Sequence, residues 1–120
     1  MHEMSIAQSL LDIVRQHVEE DELQRVRELK VRVGEFAGVV PDSLEFCFQA
    51  MVAETSLRQC ELRIERVPFR IRCNRCLNIS PSENGFGICP NCGSVETVIL
   101  SGKELQVVEI ELEDNIPESA

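Results

Sequence analysis

Four of the six cysteines in this 120-residue chain fall in one stretch, CNRCLNISPSENGFGICPNC. Cys73 and Cys76 form one C-x-x-C pair; Cys89 and Cys92 form another, beyond a loop. Two such pairs are the ligand set of a tetrahedral zinc site. Each tight turn offers both sulfurs to one ion, and the loop lets the turns face each other. Four thiolates saturate zinc and leave no position for a reactive water, so the predicted role is structural. Gly93, directly after Cys92, suits the backbone of such a turn, and Phe69, Ile71, Phe86 and Ile88 are the apolar residues available to pack around it.

The N-terminus, MHE, offers different donors. The α-amine of Met1, the amide nitrogen of His2 and the His2 Nδ1 can close two fused chelate rings in one plane around one ion. A further position is left for Glu3, through backbone or carboxylate, or for a partner's ligand. Square-planar nitrogen and oxygen sets suit Ni²⁺ or Cu²⁺. A terminal histidine is also commonly a solvated side chain, and the positive end of a helix dipole mildly disfavours a cation. The residues alone leave both readings open. His17, beside the apolar face of a helix, is expected to be a partly buried structural residue. Cys47 and Cys60 are expected to pack as small hydrophobes.

These groups need elements to position them. Ser5 and Gln8 have the spacing of a capping box, and Ala7, Leu10, Leu11, Val14 and Val18 recur at helical spacing, predicting a first helix from Ser5. The acidic run Glu19–Glu22 marks its exit into a loop. Leu29, Val31 and Val33 alternate with Glu28, Lys30 and Arg32 as a half-buried strand. Asp42 is the expected N-cap of a second helix carrying the stripe Leu44, Cys47, Phe48, Met51 and Val52. Leu62, Ile64 and Val67 suggest a second strand, and Val108, Ile110 and Leu112 a third. The expected fold is α+β, a two-layer sandwich of two helices on a small three-stranded sheet. Its body is residues 1–67 with 103–120; residues 68–102 read as an inserted Cys₄ zinc-ribbon-like module of little periodicity.

Apolar residues make up 43% of the chain, without Trp or Tyr, so aliphatic side chains must fill the core. The formal charge of −9 opposes binding to nucleic acid or anionic membranes. No apolar run has the length of a membrane span and no signal-peptide pattern opens the chain, so a cytoplasmic location is expected, where cysteines serve as thiols or metal ligands. The arginines Arg63, Arg66, Arg70, Arg72 and Arg75 support a rival reading, a zinc-ribbon nucleic-acid-binding or protein-adaptor module. Interspersed Glu61 and Glu65 and the scarcity of aromatics count against nucleic acid. No Cys–His or Ser–His pair suggests an enzyme, and SGKE lacks both the earlier glycine and the hydroxyl of a phosphate-binding loop.

MHEMSIAQSLLDIV, VRVGEFAGVVPDSLEFCFQAM and the cysteine stretch, in this order and spacing, resemble the hydrogenase-maturation nickel-insertion proteins of the HypA/HybF family. The likeness covers essentially the whole chain. It implies a non-enzymatic metallochaperone in which His2, assisted by the Met1 amine and Glu3, holds Ni²⁺ as transient cargo. It also implies that Cys73, Cys76, Cys89 and Cys92 hold a structural Zn²⁺. The implied partners are a nickel-binding maturation GTPase and the large subunit of nickel–iron hydrogenase, with urease maturation a further possible destination. Some relatives carry histidines after the zinc cysteines; Leu77 and Gly93 stand there in this chain.

Overall fold

The computed structural model describes residues 2–81 and 87–113, and for His2 the backbone alone. In chain order the elements are helix α1 (His2–His17), a 3-10 helix (Glu20–Arg25), strand β1 (Val26–Gly34) and helix α2 (Pro41–Val52). Strands β2 (Glu61–Val67), β3 (Arg70–Cys73), β4 (Ile79–Pro81), β5 (Thr97–Ser101) and β6 (Leu105–Leu112) follow. They form two three-stranded sheets, ordered β2-β1-β6 and β4-β3-β5. The fold is therefore mixed α+β, and the first sheet consists of the three predicted strands. The second sheet lies inside the stretch that lacked periodicity. Its strands are three to five residues long, too short for alternation to stand out in a sequence.

The chain divides into two compact units. One comprises residues up to 31, 39–64 and those from 107; the other comprises 32–38 and 65–106.

In the first unit α1 and α2 pack on one another. Ala7, Leu10, Leu11 and Val14 of α1 and Leu44, Phe48 and Val52 of α2 are buried, together with Val26, Leu29 and Val31 of β1 and Leu62 of β2. Burying each large aliphatic or aromatic side chain contributes roughly 1.5–3 kcal/mol, so these apolar faces hold the unit. Cys60 is buried as expected, whereas Cys47 is only half-buried. Surface ion pairs join Arg63 to Glu28 and Arg27 to Glu113. The Arg25 guanidinium donates to the Glu113 carbonyl at 2.6 Å. Glu28 raises the Arg63 pKa by hydrogen bond and charge. On β6, Val108 is 42% exposed while Ile110 and Leu112 are half-buried.

Four local expectations are corrected. Helix α1 begins at His2, so Ser5 lies inside it, and Gln8 donates to Asp12 at 3.0 Å and not back toward a cap. The first turn is instead tied from outside: the Val40 N–H donates to the Glu3 carboxylate at 3.0 Å. The N-cap of α2 is Val40, with Pro41 as its first residue and Asp42 in the first turn. Proline fits there because its φ is already helical and its missing N–H would have had no intrahelical acceptor. The acidic run forms part of the 3-10 helix, whose Leu23 is buried. His17 is exposed, its Nδ1 2.9 Å from the Ile13 carbonyl in the last turn of α1.

The second unit is built on the buried Phe69 and Ile71, with Phe36 packed edge-on against Phe69 at 5.0 Å between ring centroids. The Phe69 N–H donates to the Glu35 carboxylate at 2.9 Å, and the Glu35 N–H to the Val67 carbonyl at 2.8 Å. Gly102, with φ +113°, lies against Phe69 so closely that an added Cβ would collide with the Phe69 Cα. Its carbonyl accepts from the Phe36 N–H at 2.8 Å. The site requires glycine for both its backbone angle and its contact. Gly102→Ala is expected to destabilise the protein by about 1–3 kcal/mol or more through combined strain and overpacking. Chemical denaturation measures this; an unchanged midpoint would contradict the assigned close approach.

Candidate metal centre

The cysteine stretch folds as two turns with the same hydrogen-bond plan. The Cys73 N–H donates to the Asn78 carbonyl at 3.0 Å and the Cys89 N–H to the Ser94 carbonyl at 2.9 Å. Returning bonds run from the Leu77 N–H to the Cys73 carbonyl, 2.9 Å, and from the Gly93 N–H to the Cys89 carbonyl, 2.8 Å. The residue after each second cysteine takes a left-handed backbone, Leu77 at φ 64° and Gly93 at φ 78°. This bend turns the chain back so that both cysteines of a pair face the same point.

The four sulfurs of Cys73, Cys76, Cys89 and Cys92 all lie within 4.8 Å of one another. Cys73 and Cys92 are 3.5 Å apart at sulfur, and Cys76 and Cys89 are 3.7 Å apart. Sulfurs arranged tetrahedrally at ~2.3 Å from zinc would be about 3.8 Å from each other. The cluster therefore fits a tetrahedral thiophilic cation. Cys73 and Cys89 are buried and Cys76 and Cys92 exposed, so the centre sits at the edge of the unit.

Donors around the sulfurs favour their charged form. The Cys73 thiol is pulled down to about 6, first by the N–H of Cys76 and also by that of Arg75, against the opposing effect of burial. These amides lie 3.4 and 3.3 Å from its sulfur. The Asn91 side-chain amide, 3.5 Å from the Cys76 sulfur, is the main cause lowering that thiol. At Cys92 the Ser94 N–H favours the thiolate, but the neighbouring Cys73 sulfur and burial prevail, and the value stands at about 11. Without metal the cluster thus shares protons, which a dication would displace.

All four predicted zinc ligands are brought together, and Phe69 and Ile71 are buried nearby in sequence, but Ile88 is 51% exposed and does not pack as expected. Phe86 lies outside the described residues. Asn91 was not anticipated as a sulfur donor; its amide placed between the two cysteines of the second pair was the available signal. Cys60 belongs to the first unit, and burial raises its thiol to about 11, as expected of a packing residue and not of a ligand. Of the N-terminal set, Met1 and the side chain of His2 lie outside the described residues. Glu3 is described, and one of its carboxylate oxygens accepts the Val40 N–H.

Fold and site together define a small α+β metal-binding protein with a four-cysteine centre. The family model described as hydrogenase/urease nickel incorporation, metallochaperone, hypA matches residues 1–112. The chain belongs to this HypA family of nickel metallochaperones. It is 42% identical over 120 residues to hydrogenase maturation factor HypA of Streptomyces avermitilis, covering 95% of this chain and 88% of that one. It is 39% identical over 113 residues to the HypA of Geobacter sulfurreducens, covering 94% and 100%. The fold is similar to the solution structure of the Ni metallochaperone HypA from Helicobacter pylori, with TM-score 0.63 at 22% identity over 94% of this chain and 98% of that one. A second HypA solution structure matches with TM-score 0.66 at 22% identity, covering 93% and 96%.

The two left-handed positions yield a test. Nothing lies within 4 Å of a Cβ built on Gly93, so its requirement is purely conformational. Gly93→Val should lower stability by roughly 1–3 kcal/mol. Leu77→Gly should leave it unchanged or raise it by up to about 1 kcal/mol, since relieved strain exceeds the added chain entropy. Thermal unfolding of both variants measures the shifts; equal losses would show that the turns are not equivalent.

Proposed function

We propose that this protein is a non-enzymatic nickel carrier that binds Ni²⁺ through the Met1 amine, the His2 imidazole and amide, and Glu3. It holds a structural Zn²⁺ on Cys73, Cys76, Cys89 and Cys92. It delivers nickel during maturation of nickel–iron hydrogenase, working with a nickel-binding GTPase and the hydrogenase large subunit, and serves urease by the same chemistry. The observation that carries this reading is the match to the nickel-incorporation family, which begins at residue 1 and so includes MHE. The donor set of the cysteine cluster supports zinc, and its four sulfurs leave no open catalytic position.

The start of α1 adds a physical argument for the nickel site. His2 is the first helical residue, and the first N–H groups of a helix have no intrahelical acceptor. A metal can therefore take the His2 amide nitrogen without breaking a helical hydrogen bond. Glu3 is held by Val40, so its carboxylate orients the first turn whether or not it also touches the ion. Among the described residues no helix is long and apolar enough to cross a membrane.

His2→Ala is expected to abolish tight nickel binding while zinc content and fold persist, because the two donor sets share no residue. Isothermal titration with nickel, with zinc assayed in parallel, decides the matter; wild-type nickel affinity in this variant would overturn the site. Acidification should weaken nickel binding, since protons compete for an imidazole near ~6.5 and an α-amine near ~7.7–8.0. Extending the chain by one residue before Met1 should also weaken binding, because the amine becomes an amide. Glu3→Gln separates two roles. A glutamine oxygen can still accept the Val40 N–H, so retained nickel affinity in Glu3→Gln with loss in Glu3→Ala assigns Glu3 to positioning.

A further inference from the structure

Outside the metal ligands, the second sheet has one face unlike the rest of the chain. In β3, Ile71 and Cys73 are buried, whereas Arg70 and Arg72 alternate with them and point to solvent. The antiparallel register places Ile79 and Val98 on either side of Arg72, and Pro81 and Ser101 on either side of Arg70. Ile79 is 57% exposed and Val98 39%. Leu100, at the register irregularity of β5, is 43% exposed. The solvent face of an antiparallel sheet is ordinarily polar, but this one alternates two arginines with apolar side chains. Its charge is also exceptional. The chain holds 21 Asp and Glu against 12 Lys and Arg, yet β3, β4 and β5 contain no acidic residue. Among the described residues neither Arg70 nor Arg72 forms an ion pair, whereas Arg25, Arg27, Arg32 and Arg63 all do.

We propose that the outward face of β3, β4 and β5 is a docking surface for a partner protein segment in which carboxylates are interspersed with apolar side chains. Arginine and exposed aliphatic groups together are the composition of a protein interface core, and carboxylates would meet the two uncompensated guanidinium groups in bidentate geometry. A face of this sign steers an acidic partner while the surrounding negative charge rejects others. Nucleic acid fits less well. Phosphate binding needs a sustained basic track and stacking aromatics, and this face has two cations and no aromatic residue. A second copy of the same face would set arginine against arginine.

The test uses the full-length, zinc-loaded protein labelled with ¹⁵N. Three probes are titrated: a short peptide alternating Glu with Val and Leu, its Gln-for-Glu counterpart, and a single-stranded DNA oligonucleotide. The Glu peptide is expected to give saturable amide shifts centred on β3, β4 and β5, and to bind about tenfold or more weakly to Arg70→Glu/Arg72→Glu, as expected when complementary charges become like charges. The Gln peptide should bind more weakly than the Glu peptide to wild type. Zinc content verifies that the variant is folded; if it falls, Arg70→Gln/Arg72→Gln takes its place. Unchanged affinity of the charge variant, shifts centred elsewhere, no saturable binding, or tighter binding of the oligonucleotide than of the Glu peptide would each overturn the proposal.

Discussion

The second unit depends on one constraint: four sulfurs from two separate turns must meet within a few ångströms. Bare thiolates at that distance repel, so the arrangement needs either shared protons or a cation. The chain prepares for the cation with backbone. In each turn the N–H of the first cysteine is bonded to a carbonyl five residues on, and a left-handed residue closes the bend. Amides of Arg75 and Cys76 then aim at the Cys73 sulfur. A small unit whose large, fully buried side chains among the described residues are Phe69, Ile71 and Val33 has little apolar burial of its own there, so a metal bound here would supply much of its folding free energy.

The first unit works by ordinary means. Two amphipathic helices and strands β1 and β2 bury aliphatic side chains together with Phe48. Its point of chemical interest lies at the beginning of α1, where the Glu3 carboxylate is tied to the N-cap of α2. That bond ties the first turn of α1, where the proposed nickel donors stand, to a packed element.

Charge sets one sheet face apart in this acidic protein. The arginines that read as one cluster in the sequence are divided by the fold. Arg63 pairs with Glu28 in the first unit, while Arg66, Arg70, Arg72 and Arg75 belong to the second. Arg70 and Arg72 share a face of the second sheet with apolar neighbours, and its strands β3, β4 and β5 contain no acidic residue. A general basic track is therefore absent among the described residues, and what replaces it is a compact patch set in an acidic protein.

By itself the sequence determined the features that rest on spacing. The apolar stripes of α1 and α2 and the alternation of β1 repeat often enough to reveal their periods, and the two C-x-x-C pairs reveal their ligand set because the chemistry of one ion demands it. MHE was legible as a donor set, and its proposal as a nickel site comes from the resemblance and not from the residues alone. Tertiary structure decided what short range could not. Helix α1 starts at His2, ahead of the expected cap at Ser5, and its first turn accepts a bond from Val40, distant in sequence. The second sheet emerged from strands too brief to show a period, held by pairing across the loop between the cysteine pairs. His17, expected to be partly buried beside the apolar face of α1, is exposed at the end of that helix. Gly102 acquired its necessity only when the chain brought Phe69 against it. Local pattern can report a repeated preference; a single contact between remote residues leaves no period to read.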